Sequence, residues 1–407
     1  MSKQPIIDKF NELDQLTVFH SINKDEIIQK FKSQSTQGAG QIIKALIEHS
    51  ENNSLSGDLW QNYLGDLILT DENIFTLSCE KFMISEDKSL YQTAVHDLKI
   101  LKRLLSLSVI DIFKDYPGNL YSLGSNYQPV EEANKNTYQK PMELFTGSLE
   151  ETIYQLNKYF YEHGSGLLNQ YRAFSWESEN NLVPVNNPDS INFNDLIGYE
   201  NQQKKLIDNT ESFINGQTAY NVLLYGESGT GKSSSVKAAL NKFASQGLRL
   251  IEINSDQIKE LPGMLDYLSQ RGIYFIIFMD DLSFEEFETE YKHLKAIMEG
   301  GIEARPKNVL FYATSNRRHL VQEKWESREE IHQNDMINER LSLSERFGLT
   351  ILFNSPDQEE YLEIVKGLAS QKNLKIDEAV LEEKALKWQM WHNGQSGRTA
   401  RQFIDSF

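Results

Sequence analysis

The sequence predicts an α/β protein in which a parallel sheet flanked by helices follows a helical N-terminal domain and precedes a small helical C-terminal lid. Three observations support this fold class. Short, continuously apolar runs alternate with helical patterns between residues 221 and 353. Before residue 180 the apolar residues recur at helical spacing, and the helical pattern returns after residue 359. Apolar strands that alternate with helices are typical of parallel sheets covered on both faces.

The N-terminal region contains four segments with the apolar spacing of amphipathic helices. They are residues 41–49, 58–69, 91–105 and 149–161. The aromatic residues of the last segment fit the packed face of a helix better than a cage around a ligand. We therefore predict a helical domain over residues 1–180 that binds a partner or has a regulatory role.

A segment rich in proline and asparagine follows, and its composition suits a linker over residues 181–192. After it, short apolar runs predict the strands of the sheet. These runs are residues 221–225, 248–253, 273–279, 309–314 and 350–353. We predict the α/β core over residues 193–356 and the lid over residues 357–407.

The composition excludes several classes of protein. Lys and Arg number 41 against 59 Asp and Glu, and the net charge of −18 argues against a generic nucleic-acid coat. The single cysteine, Cys79, excludes an intrachain disulfide and a cysteine-rich zinc site. The longest apolar run, residues 273–279, is too short to cross a membrane, and the N-terminus lacks a signal-peptide core. We expect a cytoplasmic protein without a membrane contact.

A glycine-rich segment follows the first predicted strand of the sheet. It fits the pattern G-x-x-x-x-G-K-[ST] at each fixed position, over Gly226, Glu227, Ser228, Gly229, Thr230, Gly231, Lys232 and Ser233. Between a strand and a helix, such a loop directs main-chain N–H groups at phosphate oxygens. Lys232 would contact the β- and γ-phosphates and the Ser233 hydroxyl would bind Mg²⁺. The motif predicts a nucleotide site that includes the adjacent Ser234.

Two acids end the apolar run over residues 273–279. Asp280 and Asp281 would lie at the carboxyl edge of the sheet, where open α/β folds bind their ligands. We expect Asp280 to hold Mg²⁺ through water, and Asp281 to orient or deprotonate an attacking water. A surface turn is the alternative for an isolated pair of acids, but the preceding phosphate loop favours the catalytic interpretation.

In the second half of the chain, the order and spacing of the motifs resemble those of the AAA+ ATPases. Residues 226–233 look like the Walker A motif and residues 276–281 like the Walker B motif. Residues 195–198 look like the entry motif near the adenine, which implies that Ile197 and Gly198 contact the nucleotide. The resemblance implies a P-loop NTPase (AAA+) sheet that binds ATP with Mg²⁺.

The resemblance also implies roles for three further residues. Asn316 looks like sensor 1, Arg346 lies in the place of the arginine finger, and Arg398 looks like sensor 2 on the lid. A finger of this kind acts in a neighbouring copy, so the resemblance implies a homo-oligomer. Arg305 and Arg340 are the alternative fingers.

A narrower resemblance covers three segments. Residues 280–286, 299–306 and 398–403 are similar to a bacterial group of AAA+ proteins known as DUF815. Two departures from the AAA+ pattern matter for function. Asp281 stands where most AAA+ ATPases have Glu, so its reach to the water is shorter. Residues 254–263, where protein-threading relatives carry an aromatic pore loop, contain no aromatic residue, which disfavours threading.

The resemblance implies an ATPase that hydrolyses ATP to ADP and phosphate in order to remodel or load a macromolecular partner. Glu285 or Glu286 could replace Asp281 in this reaction. The alternative from another class is a nucleotide-dependent switch without turnover, and a P-loop kinase is the third hypothesis. Contact with nucleic acid is possible for such proteins, but no basic stripe in the sequence supports it.

Overall fold

The computed structural model describes residues 4–33, 39–114, 124–130, 141–177, 181–282, 294, 297–298, 306–316, 346–392 and 394–407. These residues form two compact units. Unit 1 comprises Met1–Tyr171 and Arg271–Ile273, and unit 2 comprises Arg172–Gln270 and Tyr274–Phe407. Each unit has a hydrophobic core of its own.

The described part of unit 1 is helical. Its helices are α1 (Gln4–Asn11), α2 (Glu26–Lys32), α3 (Ala39–Asn53), α4 (Leu59–Thr70), α5 (Ile74–Lys81), α6 (Ser89–Leu105), α7 (Val109–Phe113), α8 (Leu149–His163) and α9 (Leu167–Gln170). Several begin at a residue whose side chain accepts hydrogen bonds from the first free N–H groups, as Asp58 does for α4 and Ser148 for α8. Such caps stop each helix at a defined residue.

The core of unit 1 is built around large aromatic side chains. Trp60 of α4 is fully buried, and its Nε1 donates to the Leu104 carbonyl of α6 at 2.9 Å. Phe10 and Phe31 pack their rings against it, with centroids 5.3 Å from the indole in both cases. A buried indole with its N–H satisfied and two aromatic neighbours in T-shaped contact is a strong packing anchor. Cys79 is also fully buried, and burial raises the pKa of its thiol, as is usual for an unreactive cysteine in a core.

A buried ion pair joins α5 to the three-residue segment Arg271–Ile273 of the same unit. Arg271 Nε donates to Glu80 Oε2 at 2.8 Å, and the two side chains are 3% and 0% exposed. Glu80 Oε1 accepts from the Ser165 backbone N–H at 2.8 Å and from its hydroxyl at 2.7 Å. The carboxylate is therefore paired and hydrogen-bonded, as a buried charge must be.

Unit 2 contains a seven-stranded sheet over its described residues, in the order β2-β1-β4-β5-β6-β3-β7. The strands are β1 (Ala173–Glu177), β2 (Asn181–Pro184), β3 (Val222–Gly226), β4 (Leu248–Glu252), β5 (Tyr274–Met279), β6 (Val309–Ser315) and β7 (Leu349–Phe353). Among the strands that the structure describes, the β1–β2 pair alone is antiparallel. The carboxyl ends of β3, β5 and β6 consequently meet at one edge.

Helices cover the sheet of unit 2. They are α10 (Glu200–Ile214), α11 (Lys232–Phe243) and α12 (Leu261–Ser269). Every residue of β6 is buried, as expected for a central strand with both faces covered. The one large polar side chain in this strand, Tyr312, is satisfied inside the core, because its hydroxyl lies 2.8 Å from that of Thr210 on α10.

The C-terminal lid consists of α13 (Gln358–Gln371), α14 (Glu378–Trp391) and α15 (Gly397–Asp405). Tyr361, Val365 and Phe403 are among the buried residues of its small core. Lys366 of α13 pairs with Glu378 and Glu382 of α14, each at 2.6 Å, on the exposed side. The lid belongs to unit 2 together with the sheet.

The predicted elements are confirmed where the structure describes them. The five predicted strands overlap β3 to β7, and the four predicted helical segments overlap α3, α4, α6 and α8. The domain boundary differs from the predicted one. Residues 181–184, predicted as linker, form β2, and β1 lies before residue 180, yet both strands belong to unit 2. Local sequence patterns do not show this pairing, because β1 adds to β4, which is far away in the chain.

Candidate functional site

The glycine-rich loop leaves the sheet at the carboxyl end of β3. Gly226 has a φ of +126°, and a Cβ at this position would lie 2.1 Å from the Phe353 carbonyl oxygen of β7. No other residue fits here, because the backbone is left-handed and two strands approach closely. The loop ends at Lys232, the first residue of α11, so the N-terminus of this helix faces the space above the sheet edge.

Lys232 is a buried cation folded against the loop. Its Nζ donates to the Gly226 carbonyl at 3.0 Å and to the Glu227 carbonyl at 2.6 Å, and the residue is 5% exposed. Burial lowers the pKa of Lys232, while the nearby carboxylates, Asp281 first, oppose that shift. A partly desolvated ammonium interacts strongly with any anion that enters the site.

Ser233 and Asp280 bring two oxygen donors together next to Lys232. The Ser233 hydroxyl at the start of α11 donates to Asp280 Oδ1 at the end of β5, at 2.6 Å. Among the described residues, no group of three or more His, Cys, Asp or Glu forms a cage for a metal. One carboxylate and one hydroxyl are nevertheless what Mg²⁺ needs when phosphate oxygens and water complete its shell. The donors present therefore fit a nucleotide-bound Mg²⁺.

Asp281 and Asn316 form a second polar pair at the same edge. Asn316 Nδ2 donates to Asp281 Oδ1 at 2.6 Å, and both residues are exposed to the cavity side. Asp281 has a φ of +54°, a left-handed conformation that is uncommon outside glycine. The Asn316 amide thus holds the carboxylate of Asp281, and the left-handed backbone conformation determines the direction of the side chain.

Thr314 is a residue of the site that sequence reasoning missed. It lies on β6, two residues before Asn316, and its hydroxyl contacts both acids: it donates to Asp280 Oδ1 at 2.6 Å and accepts from the Asp281 N–H at 2.8 Å. The sequence feature that could have indicated this role is a hydroxyl residue near the carboxyl end of a largely apolar strand.

The entry segment, residues 195–198, is held by contacts with α10 and α13. Gln203 of α10 donates through Nε2 to the carbonyls of Leu196, at 3.2 Å, and Gly198, at 2.7 Å, which fixes the course of this segment. Ile197 packs against Gly367 of α13, where a Cβ would lie 2.7 Å from Ile197 Cγ2. The contact brings the apolar side of the segment against the lid, and the glycine makes room for it.

The lid reaches the loop through the N-terminus of α15. The Arg398 N–H donates to the Gly229 carbonyl at 3.0 Å, and the Ser396 hydroxyl caps α15 by accepting from the Thr399 N–H at 3.1 Å. One helical turn later, Arg401 donates to the Asp195 carbonyl at 2.9 Å. These contacts tie the lid to both the phosphate loop and the entry segment.

These elements enclose a cavity of about 420 Å³, here called the loop cavity. This volume lies in the range of about 300–1,000 Å³ that is usual for small-molecule sites. Its lining includes the predicted site residues Ile197, Gly198, Ser228, Gly229, Thr230, Gly231, Lys232, Ser233, Ser234, Asp280, Asp281, Asn316 and Arg398. Gly226 and Glu227 support this lining through their contacts with Lys232.

Arg346 does not line the loop cavity of its own chain. It is exposed and immediately precedes the buried Phe347 and strand β7. The alternative fingers, Arg305 and Arg340, lie outside the described residues, as do the alternative acids Glu285 and Glu286.

Several solved structures are similar to part of this chain. A P216G mutant of RuvB from Thermotoga maritima has a TM-score of 0.38 and 19% identity, with 53% of this chain and 64% of that chain covered. PCH-2 from C. elegans has a TM-score of 0.36 and 15% identity, with 51% of this chain and 62% of that chain covered. The aligned region thus spans less than two thirds of either protein. No curated protein sequence matches this chain.

In the part of the chain that the structure describes, no helix combines the length and apolar character needed to cross a bilayer.

Residues 169–407 match the family described as "Protein of unknown function (DUF815)". The matched residues make up more than half of the chain. The described sheet, phosphate loop and C-terminal helices confirm the predicted α/β fold, and by the family match the chain belongs to the DUF815 family.

Proposed function

We propose that this protein binds Mg-ATP in the loop cavity and hydrolyses it to ADP and phosphate, in order to remodel or load a macromolecular partner. One observation carries the proposal: Lys232, the Ser233–Asp280 pair and the Asp281–Asn316 pair converge on one cavity at the carboxyl edge of the sheet. A cation, two metal-binding oxygens and a water-orienting acid are the parts that phosphoryl transfer to water requires.

The phosphate loop and Lys232 bind the triphosphate. The loop amides and the N-terminus of α11 offer hydrogen-bond donors, and the ammonium adds a full positive charge. In the structure the ammonium donates to the Gly226 and Glu227 carbonyls. Binding exchanges these neutral acceptors for charged phosphate oxygens, which are stronger partners.

Ser233 and Asp280 hold Mg²⁺ with the phosphates. When bound, Mg²⁺ neutralises charge on the phosphate oxygens and stabilises the additional charge of the transition state. The hydrogen bond between Ser233 and Asp280, 2.6 Å long, brings the two oxygens together and supports this role.

Asp281 orients or deprotonates the attacking water, and Asn316 holds the carboxylate. The hydrogen bond from Asn316 restricts Asp281 to one orientation, which lowers the entropic cost of aligning the water. Asp is one methylene shorter than the Glu that most AAA+ ATPases carry at this position, so turnover is slow or depends on a partner.

Two arginines complete the site in this proposal. Arg398, on the cavity wall, senses the phosphate from the lid, and Arg346 serves the cavity of a neighbouring copy in a homo-oligomer. Nucleotide state then changes the angle of the lid, and unit 1 binds the macromolecular partner. Such coupling is useful only when the partner binds the two nucleotide states differently.

The competing proposal is a nucleotide-dependent switch without turnover. The observation that favours it is the side chain of Asp281, which is short and already engaged by Asn316 at 2.6 Å. A protein of this kind binds ATP tightly and leaves it intact.

The first test compares ATP binding and phosphate release for the wild type, Lys232→Ala and Asp281→Asn. Lys232→Ala removes a charge-assisted interaction of about 1.5–3 kcal/mol, so its ATP affinity should fall about 10- to 150-fold. Asp281→Asn should retain ATP affinity and lose turnover by about 10²-fold or more. Isothermal titration calorimetry and a free-phosphate assay measure the two quantities.

The two variants separate the proposals. Wild-type turnover that survives Asp281→Asn unchanged would contradict the role of this acid. Tight ATP binding without phosphate release at any protein concentration would favour the switch. ATP affinity that is unaffected by Lys232→Ala would place the nucleotide elsewhere.

A further inference from the structure

Thr314 stands out in the site because its side chain contacts both acids while being almost fully buried. The residue is 2% exposed and lies at the end of β6. The register of the sheet pairs Met279, the last residue of β5, with Ala313 of β6, so Asp280 and Thr314 each come directly after one member of this pair. A hydroxyl at this position therefore meets the first acid after β5 as a direct result of strand pairing.

The Thr314 hydroxyl donates a hydrogen bond to one acid and accepts a hydrogen bond from the other. It donates to Asp280 Oδ1 at 2.6 Å and accepts from the Asp281 N–H at 2.8 Å. A hydroxyl has one proton and two lone pairs, so these two bonds determine the direction of its proton. The side chain that orients Asp280 thus also holds the backbone of Asp281.

The backbone after β5 needs such a restraint. Asp281 has a φ of +54°, and residues other than glycine adopt this conformation only when the surrounding structure holds them there. The Leu282 N–H donates to the Thr314 carbonyl at 2.8 Å. Two consecutive N–H groups of the turn are therefore bound to one residue of β6.

The position of Asp280 depends on the same hydroxyl. Its Oδ1 accepts from Ser233 at 2.6 Å as well as from Thr314 at 2.6 Å. Ser233 is a proposed Mg²⁺ ligand, so metal binding competes with its bond to Asp280. The bond from the buried Thr314 does not involve a proposed ligand other than Asp280 itself, and it can hold the carboxylate in both states.

We propose that Thr314 is a positioning residue for the Mg-ATP site, an inference that rests on the function proposed above. Its hydroxyl orients the Asp280 carboxylate toward the metal and holds the turn that presents Asp281 to the water. Partners that orient a metal ligand in this way commonly change metal affinity or activity about 10- to 100-fold when they are removed.

The test uses Thr314→Val, which keeps the shape of the side chain and removes the hydroxyl, beside Thr314→Ser, which keeps the hydroxyl and removes the methyl group. ATP affinity is measured by calorimetry in EDTA and over a series of Mg²⁺ concentrations, and phosphate release is measured in parallel. We expect Thr314→Val to bind ATP in EDTA with the affinity of the wild type. It should need about 10-fold more Mg²⁺ to reach half of the Mg²⁺-dependent change in ATP affinity, and its kcat should fall about 10-fold or more. Thr314→Ser should behave like the wild type in all three measurements.

Other results would overturn the inference. A normal Mg²⁺ requirement and kcat in Thr314→Val would show that the hydroxyl is dispensable. Equal losses in Thr314→Ser and Thr314→Val would show that packing of the methyl group matters instead. If Thr314→Val fails to bind ATP in EDTA, Thr314→Ser alone decides: wild-type behaviour supports the role of the hydroxyl and a defect contradicts it. A wild type that binds ATP without any Mg²⁺ effect would also overturn it, whereas a wild type that does not bind ATP would refute the proposed function itself.

Discussion

At the scale of single residues, the loop cavity owes its character to a few charges held at short range. Lys232 is buried among carbonyls, while Asp280, Asp281 and Arg398 line the same cavity. Burial lowers the pKa of the Lys232 ammonium, and the positive charge of Arg398 acts in the same direction. The charge state of Lys232 therefore affects how strongly the cavity would attract the proposed triphosphate.

The pKa shift of Lys232 predicts that ATP affinity weakens at alkaline pH earlier than an ordinary lysine would allow. In the proposed function the charged ammonium binds phosphate, so ATP binding should be strongest below the pKa of Lys232 and should decline as the pH rises through it. Because burial lowers this pKa, the decline should begin below the usual lysine value of about 10.4. Calorimetric titrations between pH 7 and pH 10 measure it.

AMP is the matched control ligand, since it lacks the β- and γ-phosphates that Lys232 is proposed to contact. Its affinity should change less than that of ATP over the same range of pH. An ATP affinity that stays constant up to pH 10 would contradict the proposed contact.

At the scale of secondary-structure elements, the sequence predicted what local patterns can encode. The largely apolar run over residues 309–314 predicted a strand, and it lies within β6, where every residue is buried. The phosphate loop and the two acids were also predicted, because each directly follows an apolar run and the loop precedes a helical pattern, all within one continuous stretch of sequence.

Features that depend on distant pairing were not predictable. Strands β1 and β2 join the sheet only through the bonds of β1 to β4. The role of Thr314 arises from the register of β5 and β6, which no single segment reveals. The pair of Glu80 and Arg271 joins residues far apart in the chain, and each alone resembles an ordinary surface charge.

The buried pair of Glu80 and Arg271 provides a stability prediction for unit 1. Arg271→Met leaves the fully buried Glu80 without its cation, which should destabilise the region by about 3–5 kcal/mol. The double variant Glu80→Met/Arg271→Met removes both charges and should recover most of that loss. Hydrogen-exchange mass spectrometry of peptides from α5 reports the local free energy of opening.

The control for this experiment is an exposed ion pair of the same unit. Lys44 and Glu48 lie one turn apart on α3 and are 73% and 58% exposed. Lys44→Met should change stability by less than about 1 kcal/mol. If Arg271→Met behaves like Lys44→Met, the buried pair does not stabilise unit 1 as the contacts suggest.

At the scale of the whole molecule, the described lining of the loop cavity does not include Arg346, the finger that the resemblance implies. Arg346 is exposed and does not line the cavity of its own chain, whereas Arg398 does. A site that needs a residue from a second copy works only in an assembly. Assembly depends on protein concentration, so activity should depend on it as well.

The proposed role of Arg346 predicts that specific ATPase activity rises with protein concentration. Arg346→Ala should lower kcat by about 10³- to 10⁵-fold and leave ATP affinity nearly unchanged. In mixtures with Asp281→Asn, Arg346→Ala should regain activity, because each variant supplies the residue that the other lacks. Phosphate release over a dilution series measures this, and activity per chain that stays constant on dilution would contradict the oligomeric site.

The most direct measurement follows the γ-phosphate of ATP when the protein is in excess over the nucleotide. Every ATP molecule is then bound, and the label of [γ-³²P]ATP reports its fate during one turnover in the presence of Mg²⁺. We predict that the label appears as free phosphate, and that Asp281→Asn slows this step by about 10²-fold or more while ATP stays bound. Bound ATP that remains intact would contradict hydrolysis and leave a switch, and label transferred to another acceptor would identify a kinase.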